Sequence, residues 1–223
     1  MKLSVIIPAY NEIDTIGEVL RRVRGVDIEK EIIVGDDCST DGTREFLRAQ
    51  GDIKLVQNPC NLGKGMTIRA ALEKVAGDIV LIQDGDMEYD PKDYPKLVEP
   101  IIAGRADIVY GTRFISGRPV MRFPNYVANR IFALTATLLY GVKITDEATC
   151  YKAFKTHVLK SLDLHCKRFE FCPEVTARLL KRGYRYAEVP IHYEARTCAQ
   201  GKKISWMDGV ECLWTLIKYR FVG

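Results

Sequence analysis

The sequence has no long apolar run, few histidines and no paired cysteine motif. Its longest uncharged stretch, residues 131–142, is well short of the roughly 20 residues that a membrane-spanning helix needs. Near the start, Leu3–Ile7 is apolar but is broken at once by Pro8, which is too early for a signal peptide. We therefore expect a cytoplasmic protein without a transmembrane helix or signal peptide, whose membrane contact is at most peripheral.

The pattern of cysteines and histidines argues against two further classes of protein, those held together by disulfides and those that bind structural zinc. The 7 cysteines include no Cys-x-x-Cys pair, and the 3 histidines show no ligand-like spacing. Free thiols in a reducing compartment fit this pattern better than a disulfide framework or a zinc site. The net charge of +4, from 33 Lys and Arg against 29 Asp and Glu, is spread without a basic block. Composition gives no indication of nucleic-acid binding.

Strands and helices alternate in the first half of the chain. Apolar, branched stretches predict strands at residues 2–8, 31–35, 53–57 and 79–83. Between them, apolar residues at helical spacing predict helices over residues 13–24, around Phe46, and over residues 66–75, with Asn11 as the N-cap of the first. This order is typical of right-handed βαβ units. It predicts a single α/β domain, residues 1–223, with a mostly parallel central sheet flanked by helices.

Polar residues follow three of these strands. They are Tyr10-Asn11-Glu12, Asp36-Asp37 and Asp84-Gly85-Asp86. In parallel sheets, ligands bind at the carboxyl ends of the strands, so we expect these three tips to converge on one site. Two carboxylates at a buried strand end suit Mg²⁺ or Mn²⁺, which commonly bind together with substrate phosphates. The alternative for Asp84 and Asp86 is a polar turn that caps the next helix.

The second half is less regular. It predicts strands at residues 107–110, 150–154 and 185–193 and helices at residues 125–140 and 173–181. Cations cluster in two loops: Arg113, Arg118, Arg122, and then Arg196, Lys202 and Lys203. The tail, residues 205–221, carries two tryptophans and other apolar residues at helical spacing. It is expected either to pack on the domain or to form an amphipathic helix at a lipid surface.

The ordered set of motifs resembles the family 2 glycosyltransferases of GT-A fold. These motifs are Val5-Ile-Ile-Pro8-Ala-Tyr10-Asn11-Glu12, Asp36-Asp37-Cys-Ser39-Thr-Asp41-Gly42, Asn61-Leu-Gly63-Lys-Gly65, Asp84-Gly85-Asp86 and Gly111-Thr-Arg113-Phe. Within that family the chain is most similar to polyprenyl-phosphate sugar transferases of the dolichyl-phosphate mannose synthase type. The resemblance implies a GT-A, Rossmann-like fold. It also implies a nucleotide-sugar-binding half, residues 1–112, and an acceptor-facing half, residues 113–223.

The resemblance also implies roles for individual residues. The donor nucleotide would contact Pro8, Tyr10, Glu12, Asp36 and Asp37. Asp84 and Asp86, with Gly85 between them, would hold the metal on the diphosphate, and Glu88 would neighbour the metal or the phosphates. Arg113 would face the sugar or the acceptor phosphate, and Arg196 with Lys202 or Lys203 would bind phosphates. Lys64 starts a helix, where its charge is either solvated or next to phosphate.

The leading hypothesis is inverting, metal-dependent transfer of a hexose from GDP-mannose, UDP-glucose or a similar donor to a polyprenyl phosphate. A phosphate acceptor is already ionised and needs no general base. The alternative acceptor is a saccharide hydroxyl, for which Asp146 is the candidate base. Asp146 is equally consistent with a turn cap. A third hypothesis, a donor-binding protein without catalysis, is disfavoured because the acidic pair and the cations are all present.

Overall fold

The computed structural model describes residues 1–115, 117, 121–195 and 206–222. These form one 7-stranded sheet in the order β3-β2-β1-β4-β6-β5-β7. The strands are β1 Leu3–Ala9, β2 Lys30–Asp36, β3 Lys54–Gln57, β4 Ile79–Ile82, β5 Ile108–Thr112, β6 Lys152–Lys155 and β7 Tyr186–Pro190. The helices are α1 Ile13–Arg24, α2 Thr43–Arg48, α3 Lys64–Leu72, α4 Tyr94–Ile102, α5 Phe123–Tyr140, α6 Thr156–Lys160, α7 Phe171–Lys181 and α8 Trp206–Phe221. A 3-10 turn at Pro91–Asp93 precedes α4.

The first four strands are parallel neighbours, and β5 is parallel to β7. The exception is β6, which runs antiparallel between β4 and β5. Lys152, at the start of β6, lies opposite Ile82 and Tyr110 at the carboxyl ends of β4 and β5. The antiparallel strand therefore places the residues before it, 145–151, at the same sheet edge as Asp84 and Arg113. The predicted α/β class with a mostly parallel sheet is confirmed.

The core lies between the sheet and its helices. Both faces of β1 and β4 are buried, as expected for parallel strands covered on both sides. A smaller cluster joins three helices of the second half, and its buried members are Ala136 of α5, Ile144 after α5, Leu180 of α7 and Leu216 of α8. No helix within the described residues is long and apolar enough to cross a membrane.

One expectation about local structure was wrong, and one helix was not predicted. Asn11 is not the N-cap of α1; Glu12 occupies that position, and Asn11 has a positive φ of 50°. The first amides of α1 are instead capped from the β2–α2 loop, because Thr43 Oγ1 accepts from Glu12 N at 2.9 Å and Asp41 Oδ2 accepts from Ile13 N at 3.1 Å. Helix α4 was not predicted, since Pro95 and Pro100 interrupt its sequence. The contacts to Asp41 and Thr43 fix the first polar strand tip against the second.

Candidate active site

A cleft of about 850 Å³ opens along the carboxyl edge of the sheet. It brings together ten of the predicted site residues. These are Pro8, Tyr10, Glu12, Asp37, Lys64, Asp84, Gly85, Asp86, Glu88 and Arg113. Arg118, Arg196, Lys202 and Lys203 lie outside the described residues, so their predicted roles stay predictions. The convergence of strand tips that parallel topology implies is therefore present in the fold.

The Asp84-Gly85-Asp86 loop is anchored by the buried side-chain amide of Gln83, the residue that precedes it. Gln83 is fully buried, and its Oε1 accepts hydrogen bonds from the hydroxyls of Tyr94 at 2.8 Å and Tyr151 at 2.6 Å. Its Nε2 donates to the Asp84 carbonyl at 3.0 Å. Because a buried amide with satisfied partners has one orientation, this network fixes the backbone from which Asp84 projects.

Gly85 allows the loop to approach the end of β1. A Cβ at this position would lie 3.3 Å from the Pro8 carbonyl oxygen and 3.5 Å from Glu12 Cγ. The Gly85 carbonyl also accepts a hydrogen bond from Thr15 Oγ1 at 2.9 Å. Glycine at this position thus joins the acidic loop to the first polar strand tip, and a side chain would push the two apart.

Lys64 lies directly beside the acidic pair. Its Nζ is 2.5 Å from Asp84 Oδ1 and 2.9 Å from Cys150 Sγ. Burial alone would lower the pKa of Lys64, but the charge of Asp84 outweighs it and raises the pKa well above its usual value. Lys64 is therefore a permanent cation beside Asp84. Its backbone is fixed because α3 begins at this residue.

Asp84 and Asp86 provide hard oxygen ligands at the cleft. Within the described residues, no cluster of three or more His, Cys, Asp or Glu side chains is placed to hold a metal ion by itself. Mg²⁺ and Mn²⁺ sites that bind substrate phosphates commonly use one or two protein carboxylates, with phosphate and water as the other ligands. Burial raises the pKa of Tyr193 to about 12, and the nearby charges of Glu88 and Asp86 add to this effect. The carboxylate oxygens of Asp84 and Asp86 fit a divalent cation whose other ligands come from a diphosphate and water.

Asp37 and Asp36 have different environments although they are adjacent. Asp37 lines the cleft, and its oxygens accept from Asn58 Nδ2 and from the amides of Leu62 and Gly63, each at 2.8 Å. Asp36 is fully buried, pairs with Arg44 at 2.6 Å, and is not among the described residues that line the cleft. Successive side chains of an extended chain point in opposite directions. The structure thus brings Asp37, and not Asp36, to the predicted donor site.

Arg113 lies in the cleft wall and is almost fully buried. Its Nε and Nη2 donate to the two oxygens of Asp146, each at 2.7 Å, and Nη2 also donates to Asn129 Oδ1 at 3.1 Å. Its Cζ lies 4.8 Å from the centre of the Tyr193 ring. Burial alone would lower the pKa of Arg113, but the Asp146 carboxylate more than offsets this and raises the pKa well above its usual value. Arg113 is a rigid, permanently charged group.

Asp146 was expected either as a general base or as a turn cap, and in the structure it is paired with Arg113. It is fully buried, is not among the described residues that line the cleft, and receives three hydrogen bonds from Arg113, including one from the backbone amide at 3.0 Å. Its own amide donates to Glu188 Oε1 at 3.2 Å. A base must have an oxygen directed at the substrate, and both oxygens of Asp146 are directed at Arg113. In this structure the carboxylate of Asp146 therefore holds the Arg113 side chain in place.

The cleft also contains residues that sequence reasoning missed. Tyr89 and Tyr193 form an isolated bridge that joins the acidic loop to the segment after β7, and Tyr193 stacks on Arg113. Arg168 adds a cation to the lining and pairs with the buried Asp208 of α8 at 3.3 Å. These residues are brought to the cleft by long-range contacts and carried no motif that could have identified them.

The profile of Glycosyl transferase family 2 matches residues 4–163 of the chain. The chain belongs to this family. The family predicted from the motifs is confirmed.

Two relatives and one solved structure place it further. Glycosyltransferase AglJ of Haloferax volcanii is 32% identical over 196 residues, 87% of this chain and 63% of that protein. The undecaprenyl-phosphate mannosyltransferase of Micrococcus luteus is 29% identical over 215 residues, 91% of this chain and 87% of that protein. The chain therefore spans less than two thirds of AglJ but most of the bacterial enzyme.

Glucosyl-3-phosphoglycerate synthase of Mycobacterium tuberculosis, solved with Mn²⁺, UDP and phosphoglyceric acid, superposes with a TM-score of 0.76 at 22% identity. The match covers 100% of this chain and 79% of that one. At this identity the likeness shows the fold, which is that of a GT-A glycosyltransferase.

Proposed function

We propose that this glycosyltransferase moves a hexose from a GDP- or UDP-sugar to the phosphate of a polyprenyl phosphate. The observation that carries the proposal is the composition of one cleft. Its lining combines three kinds of group: the carboxylates of Asp84 and Asp86, the buried cation of Arg113, and apolar residues of α5 and α8. A diphosphate, an acceptor phosphate and a lipid chain are complementary to these three parts in turn.

The donor would bind at the acidic end. We propose that Asp84 and Asp86, with Glu88 next to them, hold Mg²⁺ or Mn²⁺ there, as the Mn²⁺ and UDP bound by the solved relative suggest. When bound, a divalent cation neutralises the negative charge that grows on the departing diphosphate. Asp37, Tyr10 and the fixed ammonium of Lys64 line the same end and would position the nucleotide and its phosphates.

The acceptor phosphate would lie at Arg113. An ionised phosphate oxygen attacks the anomeric carbon and forms the new C–O bond, while the bond to the donor diphosphate breaks and its electron pair leaves with the nucleoside diphosphate. No proton has to be removed, since a phosphate monoester is mostly doubly ionised at neutral pH, with a second pKa of about 6. Arg113, held in place by Asp146, orients the attacking phosphate and offsets its charge.

The position of Asp146 favours this acceptor over a saccharide hydroxyl. A hydroxyl acceptor needs a carboxylate base near the anomeric carbon. The carboxylate that the sequence suggested for that task has both oxygens within 2.7 Å of Arg113 nitrogens. The name of the Micrococcus luteus relative, an undecaprenyl-phosphate mannosyltransferase, supports a polyprenyl phosphate acceptor. The division into a donor half, residues 1–112, and an acceptor half, residues 113–223, is part of this proposal.

The test is a transfer assay with radiolabelled GDP-mannose, UDP-glucose and UDP-N-acetylglucosamine, each with a short polyprenyl phosphate and Mn²⁺ or Mg²⁺. We expect label from one donor to enter the organic phase, and chelation of the metal to abolish the transfer. Label that appears only on a water-soluble acceptor would contradict the proposed acceptor. Donor binding without transfer to any acceptor would contradict catalysis.

A further inference from the structure

Helix α5 presents an apolar stripe to solvent. Its inner face packs through Ala133 and Ala136, which are buried. On the outer face, apolar side chains recur at helical spacing over its whole length and remain exposed. They are Phe123, Val127, Ile131, Leu134 and Leu138, and Leu138 is 74% exposed. A helix on the surface of a water-soluble domain normally turns polar residues outward, whereas the outward face of α5 is apolar.

Helix α8 has the same arrangement. Thr215, Leu216 and Tyr219 are buried against the domain. The outer residues are again apolar, namely Trp206, Met207, Val210, Trp214 and Phe221. The chain contains only 2 tryptophans, and both are on this face, where Trp206 is 78% and Trp214 is 61% exposed.

The two stripes border the same opening. The Phe132 ring packs at Gly209, where an added Cβ would lie 3.7 Å from it, and the Tyr140 hydroxyl donates to the Leu216 carbonyl at 2.7 Å. The two helices therefore lie side by side. Ile131 from the first stripe and Trp206 and Val210 from the second also line the cleft that contains Asp84 and Asp86. Both stripes therefore reach the cleft through some of their residues, and we call these stripes the rim of the cleft on this side.

The charges around this rim have one dominant sign. Residues 121–144 contain no acid and three cations, Arg122, Arg130 and Lys143, all exposed. The end of α8 adds the exposed Lys218 and Arg220. Of the two acids in α8, Asp208 is buried and Glu211 is exposed. Tryptophans and cations around an apolar surface suit the headgroup region of a bilayer with anionic lipids. A second copy would place cations against cations.

We infer that α5 and α8 form a docking face, made of Phe123, Val127, Ile131, Leu134, Leu138, Trp206, Val210, Trp214 and Phe221, that lies on the surface of an anionic lipid bilayer. The inference deepens the proposed function, because it sets the cleft mouth at the surface in which a polyprenyl phosphate is embedded. Docking is a property of the folded chain alone and requires neither donor nor acceptor. The two proposals can therefore fail separately.

The two tryptophans provide a native probe for the experiment. The full chain is titrated with vesicles of phosphatidylcholine alone and of phosphatidylcholine with about 30% phosphatidylglycerol, without donor or acceptor. We expect the tryptophan emission to shift to the blue and the protein to co-sediment with the anionic vesicles, with binding weakened by salt. Binding to neutral vesicles is expected to be at least about 10-fold weaker.

Leu138→Glu and Ile102→Glu make a matched pair. Both replace an exposed apolar residue with an acid, but Ile102 lies on α4, away from the docking face. We expect Leu138→Glu to weaken vesicle binding at least about 10-fold and Ile102→Glu to have little effect. Neither residue lines the described part of the cleft, so transfer to a water-dispersed, short-chain acceptor should be unchanged in both variants.

Three results would overturn the inference. The first is wild-type protein that does not bind anionic vesicles. The second is equal loss of binding in both variants while circular dichroism shows them folded. The third is wild-type protein that forms a dimer in sedimentation velocity and is made monomeric by Leu138→Glu, which would assign the face to a second copy. If the vesicles bind but no sugar is transferred in any assay, the proposed function fails and the docking face stands.

Discussion

The two sides of the cleft use apolar residues in opposite ways. On the donor side, β1 and β4 bury every residue, and the polar groups at their ends are held by networks such as that of Gln83. On the acceptor side, α5 and α8 leave their largest apolar residues in solvent. The proposed donor side is a rigid frame for charged ligands, whereas the proposed acceptor side exposes apolar residues that lie outside the core. One fold thus combines pre-organised polar groups at the strand ends with exposed apolar helices, which suit the proposed docking face.

The largest expected effect is on the proposed donor side, where Asp86→Asn should lower turnover at least about 100-fold, since it weakens a proposed carboxylate ligand of the cation that would neutralise the leaving diphosphate. An asparagine oxygen can still accept the hydrogen bond that Asp86 Oδ1 receives from the Glu88 amide at 3.0 Å, so the loop should keep its shape. Transfer rate and Mn²⁺ binding, followed by electron paramagnetic resonance, are the measurements.

Asp90→Asn is the matched control for Asp86→Asn. Asp90 lies in the same loop and caps the following turn by accepting from the Lys92 amide at 3.0 Å, a contact that asparagine can replace. It is not among the described residues that line the cleft. Similar losses of Mn²⁺ binding in both variants would mean that the loop as a whole, rather than Asp86, binds the cation.

The next largest effect concerns the arginine where the two sides meet. Asp146→Ala leaves the buried guanidinium of Arg113 without its partner, which should cost about 3 to 5 kcal/mol of unfolding free energy. The double variant Arg113→Met, Asp146→Leu removes both charges and should regain most of that stability without regaining transfer activity. Denaturant unfolding and the transfer assay measure the two properties.

A second substitution at Asp146 tests whether this residue acts as a general base, without the large loss of stability expected for Asp146→Ala. Asp146→Asn keeps an oxygen for Arg113 and loses the carboxylate. If Asp146 were a base, this variant would lose the ionisation that controls activity in the acid range. If Asp146 positions Arg113, activity falls but the pH dependence keeps its shape. A changed profile with unchanged stability would restore the hydroxyl acceptor as the better proposal.

The donor side could largely be predicted from the sequence, and the acceptor side much less. Branched runs that end in polar residues identify parallel strands and their tips, and parallel topology alone brings the tips together. The sequence cannot tell which carboxylate of Asp36 and Asp37 faces the cleft, because that depends on where the strand ends. The pairing of Arg113 with Asp146 depends on the antiparallel direction of β6, and the sequence pattern that predicts a strand there does not reveal its direction. The exposure of α5 could not be predicted either, since apolar residues all around a helix usually indicate burial.

A smaller effect tests how tightly the donor side is packed. A Cβ at Gly35 would overlap the Thr67 Cγ2 methyl of α3, so Gly35→Ala should destabilise the protein by about 1 to 3 kcal/mol through overpacking. Thr67→Ser removes that methyl and keeps the hydroxyl that bonds Asn58 and Gly63. The double variant should therefore recover part of the loss, as measured by denaturant unfolding.

Gly51→Ala is the control for the glycine substitution itself. An added Cβ at Gly51 meets no heavy atom within 4 Å, so this change should be neutral or slightly stabilising. If Gly35→Ala were equally harmless, α3 would have room to move away from β2, and the donor side would be less rigid than its packing indicates.

The smallest effect should appear as a pH dependence at the opposite end of the sheet from the cleft. Burial raises the pKa of Glu31, but hydrogen bonds from Ser4, Lys54 and Ala76 outweigh it and lower the pKa to about 2 from an ordinary 4.5. A lowered pKa stabilises the fold above the ordinary value and loses that effect as pH falls from 4.5 towards 2. Glu31→Gln should therefore cost about 1 to 2 kcal/mol at pH 7, a figure reduced because Lys54 is half exposed. The gap to wild type should narrow at pH 3, whereas Glu29→Gln at the exposed Glu29 should change little at either pH. A gap that stayed constant with pH would show that Glu31 contributes through packing rather than through its charge.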